Sequence, residues 1–165
     1  MFDRRAGRCL GSRHLMRLRE FFSDDAIDLG LAGSVQDEIL NELIALLKVD
    51  PKAQDTLFRL LKRREQLGST GVGRGIAIPH CRSLAVNRLR LAFGHRPGGV
   101  EYQAIDAQPV FSFFLIVAPP LEVSNQYLPV LGRIAQFAKE PDVPLRLGQL
   151  KTAEEFFGLL EEKGV

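Results

Sequence analysis

The chain lacks the residues that a disulfide-tied, metal-bound or membrane-spanning design needs. Its 165 residues include two cysteines, Cys9 and Cys81. Two cysteines make no disulfide framework, and they point to a reducing cytoplasm. There are three histidines, His14, His80 and His95. Cys81 stands beside His80, but adjacent residues on an extended chain point to opposite sides, and with His95 and Cys9 to recruit a closed four-ligand zinc site is not expected; neither is a cofactor. The longest apolar run, Val110 to Leu121, contains Ser112 and two prolines and is too short to cross a bilayer. It reads as a core strand, and no membrane insertion is expected. No apolar segment follows the first arginines, so no secretory signal is read there. The P-loop pattern G-x-x-x-x-G-K-[ST] and the G-x-S-x-G nucleophile elbow are both missing.

What is present fits one α/β domain. The chain is 45% hydrophobic and 25% charged, ordinary for a globular protein, and long enough to bury a core. Its net charge of +2 is unevenly spread. Residues 1–19 hold six arginines against Asp3, a net +5, which leaves −3 for the remainder. Residues 1–15 are expected to be a basic, disordered arm, with the folded domain spanning 16–165. Such an arm can bind nucleic acid or anionic lipid, but a bland extension is the expectation and no nucleic-acid partner is assigned.

Hydrophobic spacing predicts the elements. Ala26 to Leu31 reads as a strand. Ser34 is expected to cap a helix running through Lys48, with apolar positions at Val35, Ile39, Leu40, Leu43, Ile44 and Leu47. Asp50-Pro51 starts a second helix, packed through Ala53, Leu57, Leu60 and Leu61 and ended by Gly68. Strands are expected at Ile76–Ile78, Leu89–Phe93, Val100–Ile105 and Val110–Val117, with Gly94 to Gly99 as a turn or loop. A helix follows from Ser124, or from nearer Tyr127 because Pro129 is awkward inside it, to about Lys139. A short helix over Asp142–Leu150 and a last helix capped by Thr152 complete the chain.

One stretch carries chemistry: Gly68-Ser69-Thr70-Gly71-Val72-Gly73-Arg74-Gly75-Ile76-Ala77-Ile78-Pro79-His80. Its glycines follow a helix and precede a strand, the reverse of a dinucleotide fingerprint, so nucleotide binding is not supported. The run delivers one imidazole at the exit of a short strand, behind a proline that fixes the backbone. Ser69 and Thr70 supply nearby hydroxyls expected to bind phosphate, and Arg64 offers a planar cation suited to phosphate oxygens. A neutral imidazole attacks phosphorus without a metal, so the residues point to a phosphoryl acceptor at His80. Asp106 and Glu101 could orient an imidazole for hydrolysis, but nothing in the sequence places them near His80.

The run Leu61 to Gly73, with Gly75 to His80 and Arg82, resembles the phosphotransferase-system IIA domains of the fructose/mannitol type, particularly the nitrogen-regulatory branch. The resemblance implies a mixed β-sheet with helices on both faces. It implies that His80 accepts a phosphoryl group from the phosphohistidine of an HPr-like carrier, with Arg64 as the active-site arginine. The implied partners are that carrier and a downstream kinase or transporter read by regulation, or a IIB component. Such a protein is an enzyme only in the phosphotransferase sense. Three positions depart from the pattern. Tyr127 stands where a second histidine is usual, Cys81 where glycine is common, and Arg74 where nitrogen-type members often have asparagine. Tyr127 can donate an O–H bond but carries no positive charge. Arg74 either binds phosphate or faces solvent. A standalone sugar IIA component remains an alternative, as does a binding module that no longer accepts phosphate.

Overall fold

The computed structural model describes residues 16–165, so the expected arm at 1–15 lies outside the described residues. A turn of 3₁₀ helix at Leu18–Phe21 leads into β1, Phe22–Asp28. Then come α1 (Gln36–Ala45), α2 (Pro51–Gln66), β2 (Gly71–Gly73), β3 (Ile76–Ala77) and β4 (His80–Arg82). The chain finishes with β5 (Arg90–Val100), β6 (Val110–Ala118), α3 (Tyr127–Ala138), α4 (Val143–Gly148) and α5 (Ala153–Glu162).

The six strands form one mixed sheet in the order β1-β5-β6-β3-β2, with β4 also on β6. Strand β6 is central because nearly every residue in it is apolar. Phe113, Leu115 and Val117 pack toward α1 and α2. Phe114, Ile116 and Ala118 pack toward α3, α4 and α5, where Phe93, Phe137 and Phe156 complete the aromatic core. Helices therefore cover both faces, and each wholly buried Phe or Leu contributes about 1.5–3 kcal/mol relative to exposure.

Strands β3 and β4 are one line broken by a proline. Ile76 pairs with Ser112 and His80 with Ile116, a constant register across the break. Pro79 has no N–H to give the ladder, but its carbonyl accepts from Ile116 N at 2.9 Å. The Ile78 N–H bonds the Thr70 carbonyl at 2.9 Å, but the interruption leaves the Ile78 carbonyl out of the β6 ladder while His80 stays anchored to the central strand.

Helix caps decide the ends of the site-bearing helices. Asp50 accepts from Ala53 N at 2.8 Å, and Pro51 opens α2, as the sequence predicts; such a cap is worth about 1 kcal/mol. Helix α3 begins at Tyr127, so Pro129 lies in its first turn. The N–H that proline lacks there is one the helix could not have bonded, and the penalty of about 3 kcal/mol for an interior proline does not arise. Thr152 caps α5 by accepting from Glu155 N.

Several expected elements are corrected. Strand β1 starts at Phe22 rather than Ala26. Ser34 does not cap α1, whose N-cap is Val35; its hydroxyl bonds Glu38 instead. Helix α1 stops at Ala45 rather than Lys48, which has φ 54°. Gly94 and His95 are not loop but continue β5 in register with β6, whereas residues 96–99 bulge out before pairing resumes at Val100. The local turn signals are absorbed by this register shift between His95 and Val100, with Gly98 and Gly99 at positive φ. Val100–Ile105 is correspondingly not a strand beyond Val100. Pairing with the central strand overrides local propensity in both places.

Candidate functional site

The imidazole of His80 sits where three elements meet. Strand β4 supplies His80, the last turn of α2 supplies Arg64, and the first residue of α3 supplies Tyr127. Arg64 donates from Nε to His80 Nε2 at 3.2 Å. Its Nη1 donates to the Gly68 carbonyl at 2.7 Å, which ties the guanidinium to the loop that follows α2. The other ring nitrogen, Nδ1, lies 2.7 Å from the carbonyl oxygen of Ile78.

These two contacts define the tautomer. A carbonyl only accepts, so Nδ1 carries the hydrogen. A guanidinium only donates, so Nε2 offers its lone pair. The break at Ile78-Pro79 is what exposes the Ile78 carbonyl to the ring. Burial pushes the His80 pKa below 6.5; the Ile78 carbonyl opposes that and Arg64 reinforces it. The ring is therefore neutral at pH 7, with its lone pair on Nε2.

This state has a pH signature. Folding disfavours the protonated ring, so the unfolded chain binds that proton more readily. The contribution to stability is complete above pH 6.5 and is lost as pH falls from there toward the lowered folded value. An NMR titration of the His80 ring should give a midpoint below 6.5. A midpoint above 6.5 would show that the site favours the imidazolium and would rule out this electrostatic account.

Tyr127 lies against His80, with ring centroids 5.8 Å apart. Burial is the main cause raising its phenol pKa to about 12, so it stays a hydrogen-bond donor. The next neighbour is Arg82, which carries part of the family resemblance but has no site role assigned from sequence. Its Cζ stands 4.5 Å from the Tyr127 ring centroid, and Nη1 donates to the carbonyls of Pro119 (2.8 Å) and Ser124 (3.4 Å). Such a cation over a tyrosine face contributes about 0.5–2 kcal/mol. Strand alternation was the available signal: His80 and Arg82, two residues apart, share one side of β4, and Cys81 takes the other. Cys81 is packed in the core with α1 and α2, and burial pushes its thiol up to about 12.

The structure brings His80, Arg64 and Tyr127 together, but it directs the other three expected site residues elsewhere. Thr70 is 3% exposed and gives its hydroxyl hydrogen to Glu65. Glu65 also accepts from Thr70 N at 3.0 Å and from the Tyr102 hydroxyl at 2.9 Å. Ser69 Oγ bonds the Tyr102 carbonyl and accepts from Gly71 N, closing the turn. Both hydroxyls therefore shape the loop rather than face the imidazole. Arg74 is exposed to solvent and is held at the surface, away from the imidazole. Its guanidinium donates to the carbonyls of Ala138, Glu140 and Pro141, covering the C-terminal end of α3. Cations at that end offset the helix dipole. Among the described residues, no three His, Cys, Asp or Glu side chains gather as metal ligands, and no helix is long and apolar enough to cross a membrane.

Fold and site together define an α/β domain that offers one neutral imidazole between a guanidinium and a phenol. Residues 20–163 match the family described as phosphoenolpyruvate-dependent sugar phosphotransferase system, EIIA 2, and the chain belongs to that family. It is 30% identical over 148 residues to a nitrogen regulatory protein of Pseudomonas aeruginosa, covering 88% of this chain and 96% of that one. It is 26% identical over 149 residues to the fructose-specific EIIABC component of Bacillus subtilis, covering 89% of this chain but only 23% of that longer protein. The crystal structure of the nitrogen regulatory protein IIA-Ntr from Neisseria meningitidis superposes with a TM-score of 0.78 at 28% identity, over 86% of this chain and 97% of that one.

Proposed function

We propose that this protein is a phosphoryl carrier of a phosphotransferase system, accepting the group on Nε2 of His80 from an HPr-like phosphohistidine protein. The observation that carries the reading is the pair of contacts on the ring: Nδ1–H on the Ile78 carbonyl, and Arg64 on Nε2. The Nε2 lone pair attacks phosphorus as the donor's N–P bond breaks, and the donor imidazole leaves with that electron pair. The Ile78 carbonyl holds the Nδ1 hydrogen and supports the positive charge that develops on the ring. Arg64 moves its hydrogen bond from Nε2 to an equatorial phosphoryl oxygen, and the Tyr127 hydroxyl can donate to another. Positioning and charge stabilisation are all this reaction asks of a protein. Exposed Leu67 and Leu128, next to Arg64 and Tyr127, offer apolar contact to a docking carrier.

Full-length similarity to nitrogen regulatory proteins supports a regulatory output, in which a downstream kinase or transporter reads the phosphorylation state. Delivery to a IIB component is the second reading, supported by likeness to the A portion of an EIIABC protein. The same reading places the protein in the cytoplasm, where the buried Cys81 thiol stays reduced. Incubation with phosphoenolpyruvate, the general first enzyme and a cognate HPr-type carrier tests the function: intact mass should show one added phosphoryl group. A wild-type chain that never gains it is a binding module.

Tyr127 tunes the rate. A histidine at that position could become cationic and make a charge-assisted bond to the phosphoryl group, worth about 1.5–3 kcal/mol. Tyr127→His is expected to speed phosphoryl uptake about tenfold in the same assay. An unchanged rate would show that the phenol already serves as well.

A further inference from the structure

We propose that this chain has a second site, separate from His80, that binds a small carboxylate with an apolar body. A pocket of about 580 Å³ opens between β3, the β5–β6 pair and α4. That volume lies within the roughly 300–1,000 Å³ of small-ligand sites. Ile76, Pro109, Phe111, Pro144 and Leu145 give it apolar walls. Ser112 lies four residues before Ile116, the partner of His80, which puts the pocket about 13 Å along β6 from the phosphoryl site.

A polar pair stands among those walls. His95 and Ser112 face each other across β5 and β6, and His95 Nδ1 is 3.0 Å from Ser112 Oγ. Ser112 is 2% exposed and makes no other side-chain hydrogen bond among the described residues. Its hydroxyl hydrogen therefore has one acceptor, the Nδ1 lone pair. Reversing the bond would strand a buried hydroxyl hydrogen, which costs free energy that this arrangement avoids. Nδ1 is thus the acceptor, and the ring's hydrogen sits on Nε2, which has no protein partner among the described residues. The His95 ring is half-buried and lines the pocket, so Nε2–H is a donor in want of an oxygen.

Charge selects an anionic oxygen. Arg74 lines the same pocket, and its guanidinium meets only neutral carbonyls, with no carboxylate in ion-pair reach among the described residues. Asp106, the acid on the rim, stays ionised, but its oxygens accept from the backbone N–H groups of Arg74 (3.0 Å) and Gln108 (3.1 Å), which hold the carboxylate against the turn and partly offset its charge. A donor, an unneutralised cation and apolar walls fit a carboxylate on a hydrocarbon or aromatic body.

The test is an NMR titration of ¹⁵N-labelled protein with hexanoate and benzoate, each set against its own amide. The carboxylates should shift the His95 ring and Ser112 resonances and bind about tenfold more tightly than the amides, the worth of one charge-assisted bond. Two variants guard against a folding artefact. A Cβ at Gly148 would lie 3.9 Å from His95 Cε1, so Gly148→Leu fills the pocket from α4. The double variant His95→Leu/Ser112→Ala removes both buried polar partners together, leaving neither unpaired. Each should lose binding about tenfold or more while remaining folded by amide dispersion. The proposal is overturned by no shift up to roughly 10 mM carboxylate, by equal affinity for acid and amide, by binding that survives Gly148→Leu, or by shifts centred on His80 instead.

Discussion

Replacing His80 with alanine should abolish phosphoryl uptake, and replacing Arg64 with alanine should slow it by about two to three orders of magnitude, the usual loss when one preorganised donor to a developing charge is removed. The first effect follows from chemistry, because among the described residues no other imidazole lies within the site. The second follows from geometry. Arg64 already touches His80 Nε2, the proposed attacking atom, at 3.2 Å, so its guanidinium needs only a short movement to meet arriving phosphoryl oxygens. Arg64 also bonds the Gly68 carbonyl, but that carbonyl is accessible enough for water to replace the lost donor. The melting temperature of Arg64→Ala should therefore stay within a few degrees of wild type, on the order of 1 kcal/mol of stability. Single-turnover transfer from a phosphorylated HPr-type carrier, read by quench and intact mass, separates the two effects. Arg64→Lys should recover only part of the rate, since an ammonium lacks the planar fork that spans two oxygens. An Arg64→Ala protein that transfers at the wild-type rate, or one that unfolds, would remove Arg64 from the chemistry.

Much of this site was legible because its parts are local in sequence or periodic. The glycine run ending in Pro79-His80 and the helix ending at Arg64 lie within one stretch, and turn chemistry alone places one near the other. Strand β6 could be read from its apolar run, and α2 from its Asp50-Pro51 start. The rest depends on distant partners. Arg74 sits inside the motif, yet its guanidinium is held by carbonyls some 64 to 67 positions further on, which no local pattern announces. Ser69 and Thr70 looked like phosphate ligands until Glu65 and Tyr102 were seen to occupy them. Pro97, Gly98 and Gly99 carry every mark of a loop and do bulge out, but β6 pairs with β5 on both sides of them, at His95 and at Val100, so the strand runs on through the break. Arg82 needed only the two-residue alternation of a strand, and β4 was missed because it is three residues long and follows a proline.

Glu65→Ala should be the most destabilising single change near the site. The Glu65 side chain collects three donors: Thr70 N, the Thr70 hydroxyl and the Tyr102 hydroxyl. Thr70 is 3% exposed and Tyr102 only 1%, so water cannot readily take the carboxylate's place. A buried donor left unpaired costs about 1–3 kcal/mol, and three of them together bring the loss to about 3–5 kcal/mol. For a domain of this size that is a fall of roughly 10 °C in melting temperature. Function should suffer as well. The same carboxylate ties the last turn of α2 to the loop between Ser69 and Gly71, and so fixes where Arg64 stands relative to His80. Glu65→Gln keeps the two acceptor directions of one oxygen but swaps the other for an amide donor facing the Thr70 N–H or a hydroxyl, and should lie between wild type and alanine. Calorimetric melts of the three proteins, with single-turnover transfer measured well below each melting point, give both readings. If Glu65→Ala melts with wild type, the cluster is not what holds the loop; if it melts early but transfers normally in its folded range, Arg64 is positioned by Gly68 alone.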